Sequence, residues 1–161
     1  MKKTSKGFSL IELLIVVVII LIIAAIAIPN LLRSRIAANQ ASAVGSLRTL
    51  NTAEITYSST YNTGYPAFMS YLAPPATAGT NPTSTAAGLI DSVLAAGAKS
   101  GYSFAYSAGV ADATGRINTY QYTGSPISTN TGTNYYFTDQ SGVIRQNSTT
   151  TASSTDSPIT G

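Results

Sequence analysis

The sequence predicts an α+β protein in which one long N-terminal helix packs on an antiparallel sheet of about four strands. Three observations predict this fold. The run Phe8–Ile28 is apolar apart from Ser9 and one charged residue, Glu12. Apolar residues then recur at helical spacing as far as Tyr61. Beyond that point, short alternating runs are separated by turns that contain glycine, which is typical of strands.

The first half of the helix is a candidate membrane span, because about 20 apolar residues cross a bilayer as a helix. A short basic leader, residues 1–7, precedes it. Glu12 interrupts the run near its start, and a charged side chain inside a bilayer costs roughly 2.5–3.5 kcal/mol on insertion scales. The sequence therefore calls for a group that compensates the charge of Glu12.

Two interpretations of this run follow from its composition alone. A cleaved secretory signal would have its cleavage site at Ala25-Ile26-Ala27, although the run is long for a signal core and contains Glu12. A plain membrane anchor would leave Glu12 without a role. Both interpretations stay open on these residues.

The second half of the helix is amphipathic. Its apolar stripe advances in steps of three and four residues, with one seven-residue step between Leu50 and Tyr57. The stripe contains Ile36, Val44, Leu47, Leu50, Tyr57 and Tyr61. We therefore expect one helix from about Ser9 to about Tyr61, with a kink at Pro29 because proline lacks the N–H and crowds the preceding turn.

The remainder of the chain predicts a loop, a short helix and the sheet. Gly64-Tyr65-Pro66 ends the long helix, and Leu89–Ala96 forms a short one. Four strands are expected, at Tyr102–Tyr106, Ile117–Tyr122, Asn134–Phe137 and Val143–Arg145. The Ser/Thr-rich segment Asn147–Gly161 is expected to be a loose tail.

Composition argues against several classes of function. Charged residues make up only 9% of the chain, and the net charge of +3 comes from three lysines in the leader. Without the leader the side-chain charges balance, so no nucleic-acid partner is predicted. The chain has no cysteine and no histidine, so thiolate chemistry, the usual general base and the commonest metal ligand are missing. We predict that it is not an enzyme and that it has no cofactor.

Two groups of side chains in the globular part have both a structural and a functional interpretation. Asp112, Asp139 and Asp156 are candidate calcium ligands by residue type, but they are isolated in the sequence and calcium takes six to eight oxygens. No metal site is predicted. Tyr57 and Tyr61 share one helix face, where core packing is expected rather than an aromatic path for charge transfer.

The residues from Lys6 to Pro29 resemble, almost continuously, the N-terminus of type IV pilins and their type II secretion pseudopilin relatives. The resemblance implies that a membrane prepilin peptidase cuts between Gly7 and Phe8 and then methylates the new Phe8 amine. It also implies that Glu12 of one subunit pairs with the Phe8 amine of its neighbour and sets the axial register.

By resemblance, residues 1–7 are the prepilin leader, 8–29 the transmembrane and filament-core helix, and 30–161 a pilin-like globular domain. The implied function is that of a structural subunit of a type IV pilus, a homo-oligomeric helical filament. Its partners would be the prepilin peptidase, an inner-membrane assembly platform and an assembly ATPase. The subunit would cross the bacterial inner membrane once, with its globular domain in the periplasm, and would lie in an extracellular pilus after assembly.

Two alternatives remain. Within the family, the chain could be the major pseudopilin of a type II secretion system. From another class, it could be a secreted or membrane-anchored binding module or a small enzyme.

Overall fold

The computed structural model describes residues 7–77 and 79–159. The described residues fall into two compact units, Met1–Arg35 and Ile36–Gly161. Helix α1, Leu10–Tyr61, begins in the first unit and ends in the second. The predicted long helix is therefore confirmed. The domain boundaries at residues 7 and 29 stay a prediction, and leader residues 1–6 lie outside the described part of the chain.

The second unit has the predicted α+β architecture. After α1 come a 3₁₀ turn, Met69–Leu72, and helix α2, Ser92–Ala95. The strands are β1 Ala98–Lys99, β2 Tyr102–Ala108, β3 Tyr120–Pro126, β4 Tyr135–Asp139 and β5 Arg145–Asn147. They form one antiparallel sheet in the order β1-β2-β3-β4-β5. The sheet thus has five strands rather than about four, because the two-residue β1 adds an edge.

The predicted strand Ile117–Tyr122 begins and ends too early. Strand β3 pairs with β2 from Tyr120, opposite Ala108, to Pro126, opposite Tyr102. Ile117 instead makes isolated bridges with residues 64 and 111. The bounds of β3 follow from its long partner strand, which draws Gly124 and Ser125 into the sheet despite their low strand preference.

The last predicted strand is displaced in the same way. Val143–Arg145 was expected, but β5 covers Arg145–Asn147 and pairs with β4, with Asn147 opposite Tyr135. Val143 lies before the strand, so pairing with β4, rather than local apolar character, decides where β5 begins.

The core of the second unit lies between α1 and the sheet. The predicted stripe is confirmed at Leu47, Leu50 and Tyr57, all buried, while Ile36 and Val44 are half-buried. The sheet contributes mainly aromatic residues, namely Tyr102, Phe104, Tyr120, Tyr122 and Tyr136. Aromatic side chains bury large apolar areas, and buried tyrosine hydroxyls need partners. A tyrosine-rich core therefore requires polar groups on the facing helix.

The C-terminal tail is held against the sheet over its described part, which ends at Ile159. The backbone N–H of Ile159 donates to the carbonyl of Ile144 at 2.9 Å, and the N–H of Gln146 donates to the carbonyl of Ser157 at 3.0 Å. Asp156 accepts from Asn147 Nδ2 at 2.9 Å and from the backbone N–H of residue 153 at 2.7 Å. The expectation of a loose tail was wrong, because Asp156 fixes the returning segment against β5.

Replacing Asp156 with alanine is expected to release the tail. The variant loses the acceptor for Asn147 and residue 153, so the amides of Gln146 and Ile159 should exchange with deuterium faster than in the wild-type chain. Hydrogen exchange followed by mass spectrometry measures this. Asp112→Ala, which removes an equivalent turn contact between β2 and β3, is the matched control. Equal protection of Gln146 and Ile159 in both variants would contradict the role given to Asp156.

Candidate functional site

The N-terminal end of α1 brings together the residues for which the sequence predicts a role. Phe8 is 78% exposed, and Gly7 is exposed as well. A Cβ atom added to Gly7 would meet no other atom within 4 Å. The peptide bond between Gly7 and Phe8 is therefore accessible in the described chain, and none of the described residues requires glycine at this position.

Glu12 lies in the first turn of α1 and caps the helix. Its Oε2 accepts a hydrogen bond from the backbone N–H of Ser9 at 2.9 Å. Ser9 precedes the first helical residue, and its carbonyl accepts from the N–H of Leu13 at 3.2 Å. A Ser followed three residues later by Glu is the capping-box pattern, in which the glutamate satisfies the N-cap N–H. The carboxylate therefore lies at the positive end of the helix dipole.

This cap was not predicted, although the sequence contains its signal. Ser9-Leu10-Ile11-Glu12 matches the capping-box pattern and precedes an apolar run. The cap places a carboxylate beside the residue that directly follows Phe8. Any positive charge created at Phe8 would therefore arise close to a negative one.

The surface of α1 between Leu13 and Ile28 is apolar on every side. Large apolar side chains from Phe8 to Leu32 are between 39% and 81% exposed. An 18-residue window of α1 has a mean hydropathy of 3.4, and none of it is buried. The helix is thus long and apolar enough to cross a membrane. A helix that is apolar on every side requires lipid or other apolar helices around it.

Pro29 lies inside α1, and the residues on both sides of it are helical. The helix therefore continues through a position that lacks a backbone donor. The kink at Pro29 stays a prediction.

The aspartates considered as metal ligands each close a local turn. Asp112 Oδ1 accepts from the N–H and the hydroxyl of Thr114 at 2.8 and 2.6 Å. Asp139 Oδ1 accepts from the N–H and the hydroxyl of Ser141 at 2.9 and 2.6 Å. Hydrogen bonds from Thr114 and Asn118 hold the pKa of Asp112 well below its usual range. Within residues 7–77 and 79–159, no three acidic side chains come together in a group that could hold a metal ion.

The paired tyrosines belong to the core. The rings of Tyr57 and Tyr61 lie 4.8 Å apart between centroids, and Tyr57 is buried. The Tyr57 hydroxyl donates to the carbonyl of Ser84 at 2.7 Å. Core packing of these rings, as predicted, is confirmed.

One polar residue in the globular unit was missed altogether. Glu54 fills the seven-residue step between Leu50 and Tyr57 and is 0% exposed. The hydroxyl of Tyr122 donates to Glu54 Oε1 at 2.6 Å. Burial raises the pKa of Glu54 to about 7, and the hydrogen bond from Tyr122 opposes that rise. The signal in the sequence is the seven-residue step between Leu50 and Tyr57. Glu54 lies on the same face of the helix as these two residues, so it is buried when that face packs on the sheet.

Comparison with known families identifies the N-terminal segment. Residues 2–28 match the family model described as the prokaryotic N-terminal methylation motif. This motif is the signature of the leaders of type IV pilins and pseudopilins. The chain carries a prepilin-type N-terminus. Neither the curated proteins nor the solved structures contain a match to the chain.

The prepilin-type N-terminus spans the predicted cleavage position and the capping carboxylate, so Gly7, Phe8 and Glu12 all lie within the matched segment. The resemblance inferred from the sequence is thereby confirmed. The motif is common to pilins and pseudopilins, and it points to a structural protein that is anchored in the membrane before assembly.

Proposed function

We propose that this chain is a structural subunit of a type IV pilus. The single observation that carries the proposal is a prepilin-type N-terminus that leads into an apolar helical segment with none of its 18-residue window buried. The prepilin peptidase would cut between Gly7 and Phe8 and methylate the Phe8 amine. Mature subunits would then assemble into a filament through the helix 8–29.

Processing changes the electrostatics at the start of α1. In the intact chain the nitrogen of Phe8 is part of a peptide bond, whereas cleavage converts it to a positively charged amine. Glu12 already caps the next residue, Ser9. Opposite charges attract strongly in a low-dielectric environment, and the attraction offsets part of the desolvation cost of both groups. In the filament, we propose that the amine of Phe8 pairs with Glu12 of the neighbouring subunit and fixes the axial register.

Assembly must cover the apolar helix once it leaves the lipid. Burying apolar surface stabilises by roughly 25 cal/mol per Å². Between Leu10 and Leu32 the large apolar side chains are exposed on every face of the helix, so a bundle of such helices would bury them on all sides. Extraction from the bilayer reverses a favourable insertion, so an assembly platform and a cytoplasmic ATPase would supply the energy.

The globular unit would form the outer surface of the filament. Its sheet carries polar residues on the exposed positions of β2 and β3, such as Ser103, Ser107 and Gln121. Such a surface suits adhesion and contact with partners rather than catalysis, in agreement with the absence of histidine and cysteine from the sequence.

Mass spectrometry of the mature N-terminus tests this proposal. We expect a chain that begins at Phe8 and carries one methyl group on its amine. A chain that begins at Ile28 would instead show cleavage after Ala25-Ile26-Ala27 by a signal peptidase and would overturn the proposal. An unprocessed chain would favour a plain membrane anchor.

Imaging of surface fibres with an antibody against this chain separates the pilus from the pseudopilus. We expect labelled fibres at native expression. Fibres that appear only on overexpression would favour the major pseudopilin of a type II secretion system, which shares the same N-terminal motif.

A further inference from the structure

Two of the buried polar residues of α1, Asn51 and Glu54, differ in how completely the sheet satisfies their hydrogen bonds. Asn51 is satisfied: its Oδ1 accepts from the Tyr120 hydroxyl at 3.1 Å, and its Nδ2 donates to Thr138 Oγ1 at 2.9 Å. Glu54, one turn further along α1, has a single partner, the Tyr122 hydroxyl, at Oε1. Its Oε2 is buried and has no hydrogen-bond partner among the described residues. Among the described residues of α1, the carboxyl group of Glu54 is therefore the buried group that keeps an oxygen without a hydrogen-bond partner.

The groups that face Glu54 do not compensate a negative charge. They are Tyr57 on α1, Tyr106 on β2, and Tyr120 and Tyr122 on β3. The 3₁₀ turn and β4 add Tyr71 and Tyr136 to the core. No lysine or arginine of the described chain forms an ion pair with Glu54, since the ion pair found there joins Lys99 to Asp91.

An ionised carboxylate in such surroundings is unfavourable. Burying a charge costs several kcal/mol unless the charge is paired and fully hydrogen-bonded. Protonation removes the charge, and the protonated group still accepts the hydrogen bond from Tyr122 at Oε1. The neutral carboxylic acid is therefore the form of Glu54 that is more stable in the interface between α1 and the sheet.

We propose that Glu54 is a proton-binding site whose occupancy controls how firmly α1 packs on the sheet. With the proton bound, the carboxyl group is neutral and the interface is at its most stable. Loss of the proton places an uncompensated charge between the helix and the tyrosines and weakens the packing. This inference is independent of whether the filament is a pilus or a pseudopilus.

The direction of the pH dependence follows from burial. The pKa of Glu54 in the folded chain is raised to about 7 from an ordinary value of 4.5, so folding takes up a proton between these two values. Stability is then highest below the lower value, falls as the pH rises toward 7, and is constant above it. Between pH 5 and pH 8, the unfolding equilibrium constant is expected to rise on the order of 100-fold.

Carboxyl NMR measures the proton binding directly. The sequence contains only two glutamates, Glu12 and Glu54, so a full-length chain labelled with ¹³C at the glutamate carboxyl group and held in detergent micelles gives two signals. We expect one signal to titrate with a midpoint near pH 7, to vanish in Glu54→Gln and to persist in Glu12→Gln. A Glu54 signal with a midpoint at or below pH 5 would overturn the proposal. The midpoint is measured on the wild-type chain, and the Glu54→Gln variant assigns the signal whether or not that variant folds.

Unfolding of the full-length chain between pH 5 and pH 8 tests the consequence for packing. The wild-type chain should lose stability over this range, while Glu54→Gln, which has the same shape without the charge, should show no such fall and should exceed the wild type at pH 8. Asp139→Asn is the matched control on the sheet and should keep the wild-type dependence. The same fall in Glu54→Gln as in the wild-type chain would show that Glu54 is not the responsible group.

Discussion

A chain in which Gly7 is replaced by leucine is expected to accumulate as the uncleaved precursor. A peptidase site that accepts glycine before the scissile bond has no room for a large side chain, and a displacement of the reacting groups by about 1 Å lowers a rate on the order of 100-fold. The described residues do not obstruct the substitution, because a Cβ atom at Gly7 would meet none of their atoms within 4 Å. A loss of cleavage in Gly7→Leu would therefore reflect poorer recognition by the peptidase rather than a folding defect.

Immunoblotting of the precursor and the mature form after a pulse of expression measures the effect. Gly45→Leu is the matched control, because Gly45 also has no atom within 4 Å of an added Cβ but lies on α1, far from the cleavage position. The control should be processed at the wild-type rate. Cleavage of Gly7→Leu at that same rate would contradict cutting between Gly7 and Phe8.

Replacing Glu12 with alanine is expected to leave processing intact and to prevent assembly. Removing one partner of a buried ion pair costs about 3–5 kcal/mol, since the other charge is left unpaired. In the filament the unpaired group would be the Phe8 amine, so the assembly equilibrium should fall more than 100-fold. The measurement is the yield of sheared filaments relative to processed subunit in the membrane.

Glu12→Gln separates the charge of Glu12 from its capping role. The glutamine side chain keeps an oxygen that can accept from the N–H of Ser9, as Oε2 does at 2.9 Å, but it carries no negative charge. If the amine of Phe8 requires a carboxylate, Glu12→Gln should assemble as poorly as Glu12→Ala. Normal filament yield from Glu12→Gln would show that capping of α1, rather than pairing with the amine, is what assembly needs.

The roles of Gly7 and Glu12 stay predictions, and they could be made before any coordinates because their signal is local. The motif at residues 2–28 occupies consecutive positions, so each residue is read directly from the chain. The long helix α1 was predictable for the same reason, since its stripe depends on residues three and four positions apart. The capping contact between Ser9 and Glu12 is equally local and was predictable from the sequence.

The sheet was less predictable, because its partners are distant in the chain. Local alternation gave the number of strands to within one, but β3 begins at Tyr120 and β5 at Arg145, as their partner strands require. The tail was misjudged for a similar reason. Its Ser/Thr-rich composition indicates disorder, whereas a few hydrogen bonds from Asp156 hold it against β5.

The sequence by itself determined that this chain has a prepilin-type N-terminus, an apolar helix and an α+β globular unit. Only the tertiary structure decided which polar residues are buried. Tyr122 meets Glu54 across a separation of 68 residues, and no periodicity in either segment specifies that contact. The reason is physical: a pattern along the chain fixes which face of an element is apolar, whereas the environment of one side chain depends on what the opposing element places against it.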